Sequence, residues 1–379
     1  AGVPVLAFAD TGGAANLVEK VGGLVVPEED MAKFSDAICQ LLDNAELSSS
    51  LGEAAQSYVD EHFAFRPYLF ELCEILGIKL PKVSVVVPNY NYARYIEQRL
   101  TSIHHQSMPI YELIILDDTS TDTSVQKISD WLATTQTEAR VVINQTNSGS
   151  VFSQWEKGVS LATGDYIWIA EADDLSEPDF LQEVISAFDD PEVVMSYCQS
   201  KQIDSADSVF CDNYLEYMSD ISPDKWLKYY KNKGINEIKT ALSIKNTIPN
   251  VSAVVFDRNV LLNVLMENIA EIKKYRVAGD WLTYLLVLRA GEISFSPKSL
   301  NLHRRHKESI TLGSFNSSQL KEILSVQKRV RDDFHPDDEI VKKAQVYSQN
   351  LFDEFGLATK EMPDISLSPE LNVYLENAQ

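Results

Sequence analysis

Three apolar runs in this chain end in residues of the kinds that hold charged ligands. "VSVVV" runs into Pro88, Asn89, Tyr90 and Asn91; "ELIIL" into Asp117, Asp118, Thr119 and Ser120; "YIWIA" into Glu171, Asp173 and Asp174. Carboxylates crowded into a low-dielectric crevice are costly unless a cation sits among them or some are protonated. Hard divalent cations take oxygen ligands, and Mg2+ or Mn2+ commonly joins one or two carboxylates to a substrate diphosphate. In Glu171-Ala172-Asp173 the two acids point to one side of an extended segment. That arrangement suits one metal ion and one sugar hydroxyl. The bland alternative is a solvated loop in which Asp174 or Ser176 caps a helix opening near Ser176-Glu177-Pro178. Alone, an acid–x–acid triplet in so acidic a chain favours the loop; two further polar strand ends reverse the balance.

For these ends to converge, the runs must be neighbouring strands of one sheet. The stretch from "VSVVVP" through "ARYIEQRLTSIHHQ", "YELIILDD", "DTSVQKISDWLATT", "ARVVIN", "SVFSQWEKGVSLAT" and "DYIWIA" alternates short apolar runs with helical patterns. That alternation predicts a mostly parallel sheet with helices on both faces. Ligands of such sheets bind outside the carboxyl ends of the strands, where the strand order reverses. Beyond residue 190 strands are expected at "VVMSYCQ", "VSAVVFD" and "EISFSP", and helices at "RNVLLNVLMENIAE" and "DWLTYLLVLRAG". "KWLKYYKNKG" spaces aromatics and lysines as an amphipathic helix does; such a face suits peripheral contact with a glycan or the membrane surface, against the stronger alternative of an ordinary amphipathic face.

A Gly and a Pro in "GIKLPKVS" mark a boundary. The expected organisation is a small α/β segment over 1–78, an α/β domain over 79–313 and a helical extension over 314–379. The 379 residues carry 33 Lys and Arg against 56 Asp and Glu, a formal charge of -23. That field repels phosphate backbones and argues against nucleic acid as a partner. The four cysteines are far apart in sequence and form no CxxC pair, which disfavours a zinc site or disulfide framework.

The segments "VSVVVPNYNYARYIEQRLTSIHHQ", "YELIILDDTSTD", "NSGSVFSQWEKGVSLATGDYIWIAEADD" and "GDWLTYLLVLRAG" resemble the nucleotide-sugar glycosyltransferases of family 2, over roughly 82–311. The resemblance implies the GT-A fold, a Rossmann-like sheet flanked by helices. It also implies a divalent cation, Mn2+ or Mg2+, as cofactor. By matched position, Pro88, Asn89 and Tyr90 would line the nucleotide base. Asp118 would accept from the base N–H, with Asp117 beside it. Asn147 and Gly149 match the loop ahead of the following helix. Asp173 matches the metal-binding acid, and Glu171, where the family usually has Asp, would face the ribose or share the metal. An Asn common further along the preceding helix is absent; Glu156 and Lys157 stand near its place.

Asp280 matches the catalytic base. A sugar hydroxyl is a poor nucleophile until its proton is removed as it attacks, so the chemistry needs one. The competing role for Asp280 is an N-cap on the helix it opens. In "NLHRRHKESIT" the resemblance makes Arg305 a phosphate clamp and His306 a metal ligand or phosphate contact, against the alternative of a solvated basic face. Trp155, Trp168 and Trp281 read as packing residues.

"AGVPVLAFADTGGAANLVEKVGGLVVPEED" is similar to the end of the donor-binding half of a family 4 glycosyltransferase with the GT-B fold, so residues 1–78 are expected to be a truncated piece of one. Together these readings imply an inverting, metal-dependent glycosyltransferase. It would take a UDP-, dTDP- or GDP-sugar to a glycan or lipid-linked acceptor, at the cytoplasmic face, in surface polysaccharide synthesis. A sugar nucleotidyltransferase is the rival enzyme, though such enzymes open with a Gly-rich basic loop and "PNYNYARY" has no glycine. A non-catalytic glycan-binding module is the third reading.

Overall fold

Leu6–Phe8 (β1) and Leu24–Val26 (β2) are short apolar runs that pair in parallel, joined through Gly13–Lys20 (α1). Helices Met31–Asp43 (α2), Ala45–His62 (α3) and Phe65–Ile75 (α4) follow. The side chain of Asp30 caps α2 by accepting from the Lys33 amide at 3.0 Å. The computed structural model describes residues 3–62, 65–305 and 316–355. It divides into two units, Ala1–Leu80 and Pro81–Gln379, two residues from the boundary read in sequence. No described helix is long and apolar enough to cross a membrane.

The second unit is built on one sheet. Val83–Asn89 (β3), Glu112–Asp117 (β4), Arg140–Ile143 (β5) and Tyr166–Ile169 (β6) alternate with helices Ile96–His104 (α5), Ser124–Thr135 (α6) and Val151–Leu161 (α7). These four strands lie parallel in the order β5-β4-β3-β6. Successive β3 side chains face opposite ways: Val85 and Val87 pack with Ile96 and Leu100 of α5, and Val86 with Phe152 and Val159 of α7. Both faces of β3 are therefore covered, which is why it reads as an unbroken apolar run. α7 lies so close that a Cβ on Gly158 would meet Val86 Cγ1 at 2.2 Å. Gly158→Ala is expected to cost about 1–3 kcal/mol of stability. An unchanged urea midpoint would contradict so close an approach.

Leu175–Ser176 (β7) and Phe180–Ile185 (α8) lead into Val193–Ile203 (β8) and Val209–Cys211 (β9). The short helix Leu215–Met218 (α9) and strand Tyr230–Lys233 (β10) come next, then the one-turn helix Gly234–Glu237 (α10) and strand Val254–Asp257 (β11). Arg258–Ile272 (α11), Gly279–Val287 (α12) and Glu292–Arg304 (β12) complete the domain. β11 enters antiparallel between β6 and β8, β12 runs parallel to β8, and β10 closes the edge antiparallel. The 225–234 stretch is thus an edge strand preceded by a 3-10 turn, where the sequence suggested a helix. Tertiary packing decides this: Trp226 is buried with its Nε1 donating to Tyr197 Oη at 2.9 Å, and Tyr230 stacks on Phe295.

Ser317–Phe334 (α13), opened by an Asn316–Gln319 capping box, and Asp338–Glu354 (α14) belong to the second unit. Val326, Val330 and Phe334 lie in its main core, so α13 is part of the domain body. β4 and β5 lie on one side of β3 and β6 on the other. The order therefore reverses between β3 and β6, and a crevice opens beyond their carboxyl ends.

Candidate active site

The loops after β3 and β4 are locked to each other. Asn89 Nδ2 donates to Asp117 Oδ2 at 2.7 Å, and the Ser120 amide and hydroxyl donate to the two Asp117 oxygens at 2.8 and 2.6 Å. Asn91, left-handed at φ 59, accepts from the Thr121 amide at 2.7 Å. Asp117 is fully buried in this knot and holds the loops rather than lining the cavity. Asp118 does reach the cavity. Its carboxylate accepts from Ser148 Oγ at 2.7 Å, from the Ser148 amide at 2.9 Å and from Asn144 Nδ2 at 2.5 Å. Asn147 Nδ2 donates to the Asp118 carbonyl at 2.9 Å, and its Oδ1 accepts from the Gly149 amide at 2.8 Å. Gly149, at φ +70, makes that turn and does not line the cavity itself.

The cavity measures about 410 Å³ and collects residues from all three strand ends. Pro88, Asn89, Tyr90 and Tyr92 come from β3 and its loop; Glu171, Asp173 and Asp174 follow β6; Asp280, Arg304 and Arg305 approach from the far side. Asp118, Asp173 and Asp280 therefore share one cleft.

The three acids after β6 have separate duties. Asp174 is buried and saturated: its Oδ2 accepts from Asn250 Nδ2 at 2.8 Å and Ser252 Oγ at 2.7 Å, and its Oδ1 from the Arg304 amide at 2.9 Å. It caps no helix, because α8 starts only at Phe180. Glu171 accepts from Trp155 Nε1 at 2.9 Å. Burial, and next the neighbouring Asp173, push its carboxyl up to about 8. Asp173 hydrogen-bonds the Tyr92 hydroxyl, which burial and the acids hold above its ordinary value. Behind them sit two buried guanidinium groups. Arg304 Nε donates to the Asp173 carbonyl at 2.6 Å, and Arg99 donates to Ser176 Oγ at 2.9 Å while stacking on Trp168. These cations offset part of the cost of gathering acids in a crevice.

Asp280 lies in the first turn of α12, whose N-cap is Ala278, so it is not the cap. It still bonds backbone, accepting from the Trp281 amide at 2.6 Å, and Asn246 Nδ2 donates to its other oxygen at 3.1 Å. Burial pushes its carboxyl up to about 7. A Cβ on Gly279 would meet the Phe152 ring at 2.4 Å, so glycine lets α12 close on α7 and brings Asp280 to the cavity wall.

Arg305 lines the cavity, and His306 lies outside the described residues. His303 is held by Tyr214, its Nδ1 2.6 Å from Tyr214 Oη. Among the polar cavity residues that sequence reasoning missed are Tyr92, Gln154, Asn250, Arg276 and Arg304. Gln154 stands on α7 two residues from Glu156; it donates to Ser148 Oγ at 3.0 Å, and its buried Oε1 has no protein partner. One amide on the cavity face of α7 was available to notice. Trp155 is buried as expected, but its indole N–H also serves Glu171.

Among the described residues no group of three or more His, Cys, Asp or Glu converges as a metal cage. A pair of carboxylates is the usual protein share of a Mg2+ or Mn2+ site completed by a diphosphate. Glu171 and Asp173 face each other's charge in this crevice, which with burial raises the Glu171 carboxyl, and they are the pair that would hold such an ion.

Comparison with known proteins bears on the same segments. Residues 84–245 match the Glycosyl transferase family 2 profile. Glycosyltransferase GlyG of Streptococcus pneumoniae is 28% identical over 260 residues, 66% of this chain and 80% of GlyG. The putative teichuronic acid biosynthesis glycosyltransferase TuaG of Bacillus subtilis is 26% identical over 211 residues, 56% of this chain and 73% of TuaG. An uncharacterized glycosyltransferase of Nostoc is 33% identical over 113 residues, and the match spans only 34% of that protein. Among solved structures, S. aureus TarS 1-349 in complex with UDP-GlcNAc superposes with a TM-score of 0.50 at 20% identity, covering 78% of this chain and 79% of that one. Residues 84–245 accordingly form a Glycosyl transferase family 2 domain, on a fold like that of its GT-A neighbours.

Proposed function

We propose that this domain is an inverting, metal-dependent transferase that moves a sugar from a nucleoside-diphosphate donor to a glycan or lipid-linked glycan. The observation that carries the reading is the convergence of Asp118, Asp173 and Asp280 on one cavity. In this reading Pro88, Asn89, Tyr90 and Asp118 receive the nucleoside. Asp173, with Glu171, would hold Mn2+ or Mg2+, which would supply positive charge for the leaving diphosphate. Arg305 stands beside the same diphosphate as a second counter-charge. Asp280 accepts the proton of the acceptor hydroxyl as its oxygen bonds to the anomeric carbon. The bond to the diphosphate oxygen breaks in that step, and its electron pair leaves with the nucleoside diphosphate. One displacement with one base inverts the anomeric centre. An Asp280 carboxyl that titrates near 7 suits the task, since a general base works best with its pKa near the working pH.

The name of TuaG, a putative teichuronic acid biosynthesis glycosyltransferase, favours surface polysaccharide synthesis as the setting. A non-catalytic module gains no support, because Asp280 faces the acid pair's cavity rather than away from it. The test is product analysis with UDP-, dTDP- and GDP-sugars, each with and without Mn2+. Release of nucleoside diphosphate is expected. Release of pyrophosphate would identify a nucleotidyltransferase instead, and release of neither would remove the catalytic reading.

A further inference from the structure

We propose that Glu322, on the C-terminal helix α13, is a positioning residue for Asp280, so that a helix beyond the family-matched span completes the catalytic site. The proposal rests on the role given to Asp280 above.

α12 begins without a side-chain cap of its own, and a helix start leaves backbone N–H groups in need of acceptors. Glu322, from a distant element, takes the amide of the N-cap Ala278 and those of the two residues before it. Its two oxygens each accept from the Arg276 amide at 2.9 Å, and Oε2 also accepts from Val277 at 2.7 Å and Ala278 at 3.1 Å. Hydrogen bonds to an ionised acceptor are stronger than neutral ones, and a carboxylate at a helix start is further favoured by the helix dipole. One side chain thus fixes three successive peptide units, and Asp280 leaves the backbone two residues later.

The same helix fixes the other support of Asp280. Gln327 Nε2 donates to the Ile244 carbonyl at 2.8 Å, two residues ahead of Asn246, whose amide donates to Asp280 Oδ2. α13 is itself well anchored: Val326 and Val330 are fully buried, and Arg329 pairs with Glu271 of α11 at 3.0 Å. It therefore holds both the backbone that carries Asp280 and the segment that carries its hydrogen-bond partner. A carboxylate placed only to stabilise the fold would not need to sit at the one turn that aims the base.

The groups facing Asp280 are Asn246 from the 243–250 segment, Tyr284 on α12 itself and Glu322 on α13. Tyr284 also lies within electrostatic reach of Glu171 across the cavity. Burial is the main cause of the raised Asp280 carboxyl; the hydrogen bonds from Trp281 and Asn246 pull the other way, and the Glu322 charge adds only the smallest push upward. Neutralising Glu322 should therefore leave the acid limb near its parental pH, so that a loss of kcat without a moved limb reports a misplaced base rather than a retuned one.

The test compares Glu322→Ala and Glu322→Gln with the parent chain. Three readouts are used: amide exchange at 276–278, calorimetric affinity for UDP with Mn2+, and the pH profile of nucleoside diphosphate release from UDP-glucose, UDP-N-acetylglucosamine and GDP-mannose. In E322A, exchange at 276–278 should quicken by about tenfold or more and kcat should fall by a similar factor, while UDP affinity stays within about twofold. E322Q keeps an acceptor oxygen, so it should retain part of the hold on 276–278 and recover much of kcat. E322Q carries the test if E322A does not fold. Unchanged exchange or parental kcat in E322A, or exchange at 276–278 in E322Q as slow as in the parent while kcat is lost, overturns the proposal. A parent chain that releases no nucleoside diphosphate, while exchange still depends on Glu322, overturns the functional reading instead.

Discussion

Asp280→Asn should lose sugar transfer by a factor on the order of 10²–10⁴ in kcat, the usual contribution of a general base. UDP with Mn2+ should bind as before. The amide of Asn can still accept from the Trp281 backbone N–H, so the first turn of α12 keeps its geometry while the proton acceptor is gone. Activity of the parent should rise with pH along an acid limb near 7, where the Asp280 carboxyl loses its proton. A variant that transfers at the parental rate would mean that another group takes the hydroxyl proton.

The same substitution has an expected signature in stability. Burial raises the folded-state pKa of Asp280 from 3.8 to about 7. Between those values the folded chain holds a proton that the unfolded chain has released, so this residue's contribution is full at low pH and is lost as pH rises through about 7. D280N carries no charge to desolvate. It should therefore unfold at higher temperature than the parent at about pH 8, by the equivalent of about 1–3 kcal/mol, and the gap should close at about pH 4. Equal melting temperatures at both pH values would show that the carboxyl is well solvated.

Asp173→Ala should abolish the dependence of UDP affinity on Mn2+. The loss should be at least the ~10–100-fold that removal of an outer-shell partner of a metal site costs. The substitution is structurally mild at its own position, because Arg304 Nε bonds the Asp173 main-chain oxygen and keeps that tie. Calorimetry of UDP with and without Mn2+ reads the effect directly. Undiminished Mn2+ dependence in D173A would take the metal away from this residue. Because Asp280 and Asp173 are read by different measurements, turnover for one and binding for the other, failure of one assignment leaves the other standing.

Local chemistry determined much of this protein from sequence alone. The apolar runs of β3, β4 and β6 are unbroken because both sheet faces are covered, so their position and parallel order were legible. With them came the polar residues that must follow each strand, and hence the segments at Asn89, Asp118 and Asp173. Asp280 was legible only through the family resemblance. Tertiary structure decided what each acid does. Asp117 and Asp118 are adjacent and alike in sequence, yet one is tied into a buried loop knot and the other lines the cavity. Asp173 and Asp174 both reach the cavity, but Asp174 is tied down there by Asn250, Ser252 and the Arg304 amide. The 225–234 segment became a strand because Trp226 and Tyr230 found partners on Tyr197 and Phe295. α13, which reads as an appended helix, supplies Glu322 to a turn 44 residues earlier. Periodicity and turn chemistry are local and can be read along the chain. Which carboxylate is saturated and which is left facing a cavity depends on donors brought from elements far away in sequence, and only the packed fold brings them there.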